Sequence, residues 1–245
     1  MTADILTVMW KEFKEFLLQR GSTRGTILML GVPAFIMGVL FPLQFGRQWI
    51  EQPIALFPVA WLPLVGVIAT IADSFAGERE RHTLETLLAS CLSDRAILFG
   101  KMLASMVYAL GITALIISLS LITVNVSQGL DELLFFPAKI ALAGAVLSIL
   151  TAFLAVSAGV LVSLKATSVR QAHQTLYFGV IVIAFLPGIA IQFVPKALLK
   201  HLFGTLEAVD PLLLAGIVLG GFLLLDIVLL LAAMARFKRA RMILD

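Results

Sequence analysis

The chain is poor in charge: only 13% of its 245 residues are Asp, Glu, Lys or Arg, about half the share of a soluble domain. That excludes an ordinary water-facing globule. A single cysteine, Cys91, excludes an internal disulfide, and no Cys/His cluster has metal-ligand spacing. There is no phosphate-binding G-x-x-x-x-G-K-[ST] run. Gly100-Lys101 has Arg95 where the upstream glycine would stand and is followed by Met102. The chain is therefore expected to hold no nucleotide and to be no enzyme by itself. The pI of about 9.2 does not indicate nucleic acid, because the basic residues form no patch interleaved with aromatics. Met1 to Arg20 lacks the apolar core and small-residue cleavage site of a signal peptide.

What remains is apolar: 60% of the residues are hydrophobic and the mean hydropathy is +1.05. A membrane-spanning helix needs about 20 mostly apolar residues. Six runs qualify: Thr26–Phe45, Ile54–Phe75, Ile97–Val124, Phe135–Leu164, Thr175–Val194 and Leu212–Ala235. The expected fold class is an all-α membrane protein with six transmembrane helices and a single domain over 1–245. Pro33, Pro58, Pro63 and Pro187 lie inside these runs, where a bilayer protein tolerates kinks. Fourteen of the eighteen Lys and Arg residues fall on one side of this arrangement. The positive-inside rule makes that side the cytoplasm and puts both termini there, as for a multi-pass protein of the inner (cytoplasmic) membrane.

Before the first run, Leu6, Met9, Trp10, Phe13, Phe16 and Leu17 recur at three- and four-residue spacing, with Lys11, Glu12, Lys14 and Glu15 mostly opposite. The pattern predicts an amphipathic helix within residues 1–24, lying in the cytoplasmic interface. A second short amphipathic segment, 195–210, is expected on the outer surface.

The densest charge lies between the second and third runs, in Gly77-Glu78-Arg79-Glu80-Arg81-His82-Thr83-Leu84-Glu85-Thr86-Leu87-Leu88. Leu84, Leu87 and Leu88 fall at i, i+3 and i+4, giving a short helix with one apolar stripe. Thr83 is placed to cap it, and Ser93 with Asp94 to cap the helix that follows. Spacing alone leaves two readings open: a solvated loop whose charges fix topology, and a helix that docks on a partner.

The charges, the Thr83-Leu84-Glu85 run and the following Gly100-Lys101 together resemble the cytoplasmic signature of ABC type-2 exporter permeases, most of all the sodium-export and multidrug branch. The resemblance covers essentially the whole chain. It implies that 77–92 is a coupling-helix region docking on a separate ATPase subunit, which would bind ATP and Mg2+. It implies polar docking contacts at Glu78, Arg79, Glu80, Arg81 and Glu85. Thr83 belongs to the same docking stretch, and Leu84, Leu87 and Leu88 would fix the helix against the bundle or the partner. It also implies association of two permease copies. The sequence departs from the family pattern at His82, where a glycine or small polar residue is usual, and at Cys91, where a proline is common.

Two acids remain within the apolar runs. Asp226 lies deep in the last run, with no basic residue at mid-span to pair with it, which makes it a candidate for function or for a neutral packing role. Asp73 lies near the cytoplasmic end of the second run, where contact with the docking region is expected. An intramembrane enzyme would need paired groups at one depth, and these two acids stand at different depths. A membrane assembly or sensor subunit driven by an ATPase fits the same pattern without transport. For an exporter, the scarcity of charge in the spans points to a hydrophobic or amphipathic cargo, with an ion also open.

Overall fold

Within hydrocarbon every backbone polar group must be bonded inside the protein, so apolar runs of this length become helices. The computed structural model describes residues 1–18, 31–128, 133–193 and 211–237, and among them there is no strand. The helices, in order, are α1 Thr2–Leu18, α2 Gly31–Phe45, α3 Arg47–Glu51, α4 Leu56–Glu80, α5 Leu84–Leu88, α6 Asp94–Ser127, α7 Ala138–Ser163, α8 Val169–Phe193 and α9 Pro211–Arg236. A single turn of 3₁₀-helix, Pro53–Ala55, leads into α4.

Four helical stretches are long and apolar enough to cross a membrane: Pro53–Glu80, Asp94–Ser127, Ala138–Ser163 and Gly216–Arg236. Gly31–Phe45 is shorter, with the expected start of the first run outside the described residues. The expected outer segment 195–210, Val194 and residues 19–24 also lie outside them. The second run continues as helix five residues past its expected end at Phe75, so the charged block begins on the same rod as the span. At 1.5 Å per residue the 25 residues of α4 extend about 37 Å, beyond a hydrocarbon core of about 30 Å.

The core centres on α4, packed most extensively against α7 and then against α6, while α9 lies on α7 and α1 on α6. Ile68, Ile71, Ala72, Phe75, Val156 and Val160 form its middle. Small residues set the closest approaches. A Cβ on Gly66 would stand 3.0 Å from the Ala109 Cβ of α6, and one on Gly159 would collide with Ile71.

Two prolines leave backbone carbonyls without a helical donor, and in each case a hydroxyl from another helix lies within bonding distance. Pro42 cannot donate to Gly38 O, and the helix widens into a π turn over Ile36–Leu40 immediately before it. Thr123 Oγ1 of α6 stands 2.8 Å from Gly38 O and 2.9 Å from Leu119 O of its own helix, and its one proton serves either carbonyl. Pro63 likewise frees Val59 O, and Ser148 Oγ of α7 donates to it at 3.1 Å.

At the end of the bundle away from the charged block, Trp49 and Ile50 of α3 are buried with Ala55 and Val124. Asn125 joins the end of α6 to the segment before α7, accepting from Leu134 N at 2.7 Å and donating to Leu134 O at 3.0 Å. An aromatic and amide plug therefore closes this end over the bundle.

Candidate functional site: the charged end of α4

The last turn of α4 is shaped by its C-cap. Arg81 N bonds Gly77 O, His82 N bonds Arg79 O at 3.1 Å and Thr83 N bonds Glu78 O at 2.9 Å. This is the Schellman pattern, which requires a left-handed residue after the helix, usually glycine. His82 takes that position at φ 56°, the one non-glycine positive φ among the described residues. A small residue is usual here because of the backbone, and histidine occupies it against that preference. The Thr83 hydroxyl turns back to Glu78 O at 3.3 Å and so reinforces the cap of α4. The chain then enters α5. Leu84 is buried in the main core and Leu87 packs against it, so this stripe seats α5 on the bundle. Thr86 is exposed, whereas the side chains of Glu85 and Leu88 lie outside the described residues. Ser93 Oγ accepts from Ala96 N at 3.2 Å and caps α6, as the sequence predicts.

The four charges of Glu78–Arg81 divide into two pairs with different surroundings. Glu78 is only 3% exposed. Its Oε1 accepts from Lys101 Nζ of α6 at 2.9 Å and from Lys11 Nζ of α1 at 3.1 Å. Lys101 is buried as well, and also donates to Glu12 Oε1 at 2.7 Å and to Ser74 O at 2.8 Å. Lys11 stands 3.3 Å from Glu15. Burial disfavours the Lys11 ammonium, but Glu12, Glu78 and Glu15 outweigh it and hold its pKa above the ordinary 10.5. Arg79 is half-buried and donates to Ala166 O at 2.7 Å and Leu164 O at 3.0 Å, capping the carbonyl end of α7. Neither Glu78 nor Arg79 therefore presents its charge outward in this conformation.

Glu80 and Arg81 are exposed. Glu80 Oε2 accepts from Val169 N at the start of α8, at 3.1 Å. Arg81 reaches back to Asp73 Oδ1 at 3.4 Å, passing over Gly77, where any side chain would collide with Asp73. Asp73 is thus joined to the charged region, as expected from the sequence.

Sequence periodicity missed the partner of this cluster. It assigned Glu12 to the polar outer face of the first helix, but Val8, Glu12 and Phe16 form the buried seam of α1, while Leu6 and Trp10 are exposed. The physical reason is Lys101: a buried cation opposite position 12 makes a carboxylate the favoured occupant of that face. Gly100 permits the approach, since a Cβ there would lie 2.6 Å from the Val8 Cβ. The adjacent Gly100 and Lys101 thus bring α1 close and tie it down. Glu12, Val8 and Phe16 at four-residue spacing were the available signal.

Asp226 is 1% exposed, and neither carboxyl oxygen has a hydrogen-bond partner. It is not brought to Asp73, which pairs with Arg81. No group of three or more His, Cys, Asp or Glu residues that could hold a metal occurs among the described residues. A crevice of about 320 Å3 lies between α4, α6 and α7 in the half away from the charged block, lined by apolar side chains with Thr113 and Ser148.

Four helices long and apolar enough to cross a membrane, with the charged end of one fastened to two of the others and to α1, make this a multi-pass membrane protein. The family model for the ABC-2 family transporter protein matches residues 34–223, well over half of the chain, and the chain belongs to that family. It is a membrane transporter component of permease type, in a family that normally pairs with an ATPase subunit. No curated protein matches the chain.

Proposed function

We propose that the chain is the membrane half of an ABC exporter in which two permease copies of six spans each work with a separate ATPase that binds ATP and Mg2+. Gly77–Leu88 is the docking region, with both termini on the same, cytoplasmic, side of the inner membrane. The observation that carries this reading is the division of labour in the charged block. Glu80 and Arg81 are exposed to a partner surface, held among the described residues only by the Val169 N–H and by Asp73, whereas Glu78 and Arg79 fasten the same turn to α1, α6 and α7. A push on the loop is then felt by three helices together. The apolar crevice between α4, α6 and α7 supports a hydrophobic or amphipathic cargo.

The test is capture of the ATPase by the tagged chain from mild detergent, with ATPase activity measured on the eluate. Reversing the exposed pair, Glu80→Arg with Arg81→Glu, is expected to leave insertion intact and to lower capture and activity together. Undiminished capture by a correctly inserted variant would remove the docking assignment. Arg79→Glu is unsuited to this test, because it also strips the cap from α7.

A further inference from the structure

A crevice of about 610 Å3 lies where α7 ends, α8 begins and α9 ends. Its walls come from the end of α7 and the turn after it, from α8 and from α9. Lys165, Gln171 and Arg236 form a polar layer, and Leu161, Thr175 and Ala232, each four positions away in sequence, form a second, largely apolar layer. No carboxylate lines it; Glu80, which bonds Val169 N at the start of α8, is not part of the wall.

The polar layer consists of donors. Lys165 and Arg236 are exposed cations with no ion-pair partner among the described residues. Gln171 Oε1 already accepts from Thr167 N at 2.9 Å and from Thr167 Oγ1 at 2.8 Å, which leaves its amide N–H groups as the free function. Two cations and an amide donor above an apolar floor match a phosphate that carries a hydrocarbon tail. A soluble anion would have no use for the floor. Both α8 and α9 pack on α7, but they make no extensive contact with one another, so the crevice is bounded on that side by the gap between two membrane helices.

We propose that this crevice binds the phosphate headgroup of an anionic phospholipid, with its acyl chains leaving between α8 and α9. The proposal rests on the orientation argued above only in assigning the lipid to the cytoplasmic leaflet.

The test places the purified full-length chain in nanodiscs containing spin-labelled phosphatidylglycerol or phosphatidylcholine and measures the motionally restricted fraction. Phosphatidylglycerol is expected to be preferred about five-fold or more, the discrimination given by about 1 kcal/mol per cation near the surface. Lys165→Ala with Arg236→Ala should bring the ratio towards one, and Lys165→Arg with Arg236→Lys should keep it. Ala232→Phe keeps both cations but fills the apolar layer, and should lower the ratio too. Lys139→Ala with Arg170→Ala removes two exposed cations elsewhere and should leave the preference intact. Equal restriction of the two lipids by the wild type would overturn the proposal. So would an equal loss in the Lys139/Arg170 control, which would mean diffuse surface charge. Abolition of the preference by excess glycerol phosphate would reassign the crevice to a soluble anion. The readout needs no ATPase, so its failure and a failure of the docking assignment are separate results.

Discussion

The ammonium of Lys101 and the carboxylate of Glu12, 89 positions apart in sequence, meet at 2.7 Å in a buried contact between α6 and α1. A second carboxylate, from Glu78, shares that ammonium. The helix α1 is consequently fixed to the same cation as the charged end of α4. Removing the cation leaves two buried carboxylates with only the half-exposed Lys11 ammonium between them.

Lys101→Met is therefore expected to destabilise the protein by about 3–5 kcal/mol, the range for breaking a buried pair from one side. Thermal unfolding in a fixed detergent or nanodisc measures it. Lys101→Met combined with Glu12→Gln should lose less than the two single variants added together, because the double variant no longer buries an unpaired charge at position 12. Strict additivity would show that the two side chains are not coupled.

At position 82, glycine should be better than histidine. Relief of the left-handed conformation is worth about 1 kcal/mol, partly offset by the freedom glycine gains in the unfolded chain. His82→Gly is expected to raise the midpoint of unfolding slightly and to leave ATPase capture unchanged. His82→Ile, β-branched at a positive φ, should lower it. A reversed order would contradict the cap geometry.

Gly100→Leu should push α1 off α6, since a Cβ there already falls inside the Val8 side chain. Overpacking of this kind costs about 1–3 kcal/mol, and Val8→Gly in the same chain should recover part of it. Limited proteolysis within residues 1–18 reports the detachment directly. Unchanged protection in Gly100→Leu would mean that α1 is held without this contact.

Ser148→Ala removes the donor to Val59 O. The expected loss is about 1 kcal/mol, in the range found for hydrogen bonds between membrane helices. The decisive variant is Pro63→Ala added to Ser148→Ala. Residue 63 then has its own N–H for Val59 O, and the loss caused by Ser148→Ala should shrink. An equal loss with and without Pro63 would show that the hydroxyl serves another purpose.

Much of the fold was legible because hydrophobic length is a one-dimensional signal. The runs at Ile54, Ile97, Phe135 and Leu212 all became long helices with ends within a few residues of expectation, except where α4 continued to Glu80. That continuation was hidden because charge was read as the end of a span, whereas a helix can leave the bilayer without changing its backbone. The charged block was found by composition, but not the inward turn of Glu78 and Arg79. Their partners, Lys101 and the carbonyls of Leu164 and Ala166, are 23 to 87 positions away, and no local pattern names them. Glu12 was assigned to the wrong face for the same reason: a charge was assumed to seek water when its partner was another buried charge. The donors to Gly38 O and Val59 O were half legible. Proline arithmetic gives the orphaned carbonyl, but only the packing tells which hydroxyl reaches it.

The polar ties described above are unevenly distributed. Ions fix α1 to α4 and α6, Arg79 fixes α4 to the end of α7, and hydroxyls fix α6 to α2 and α7 to α4. Among the described residues no hydrogen bond or ion pair crosses from α9 to a neighbour, although α9 lies along α7. Such a contact has no register of its own. Packing alone then holds α9, through buried Ala233 and through Phe237 just beyond it beside Phe75, and Asp226 is carried on a helix that has no directional tie to its neighbours among the described residues.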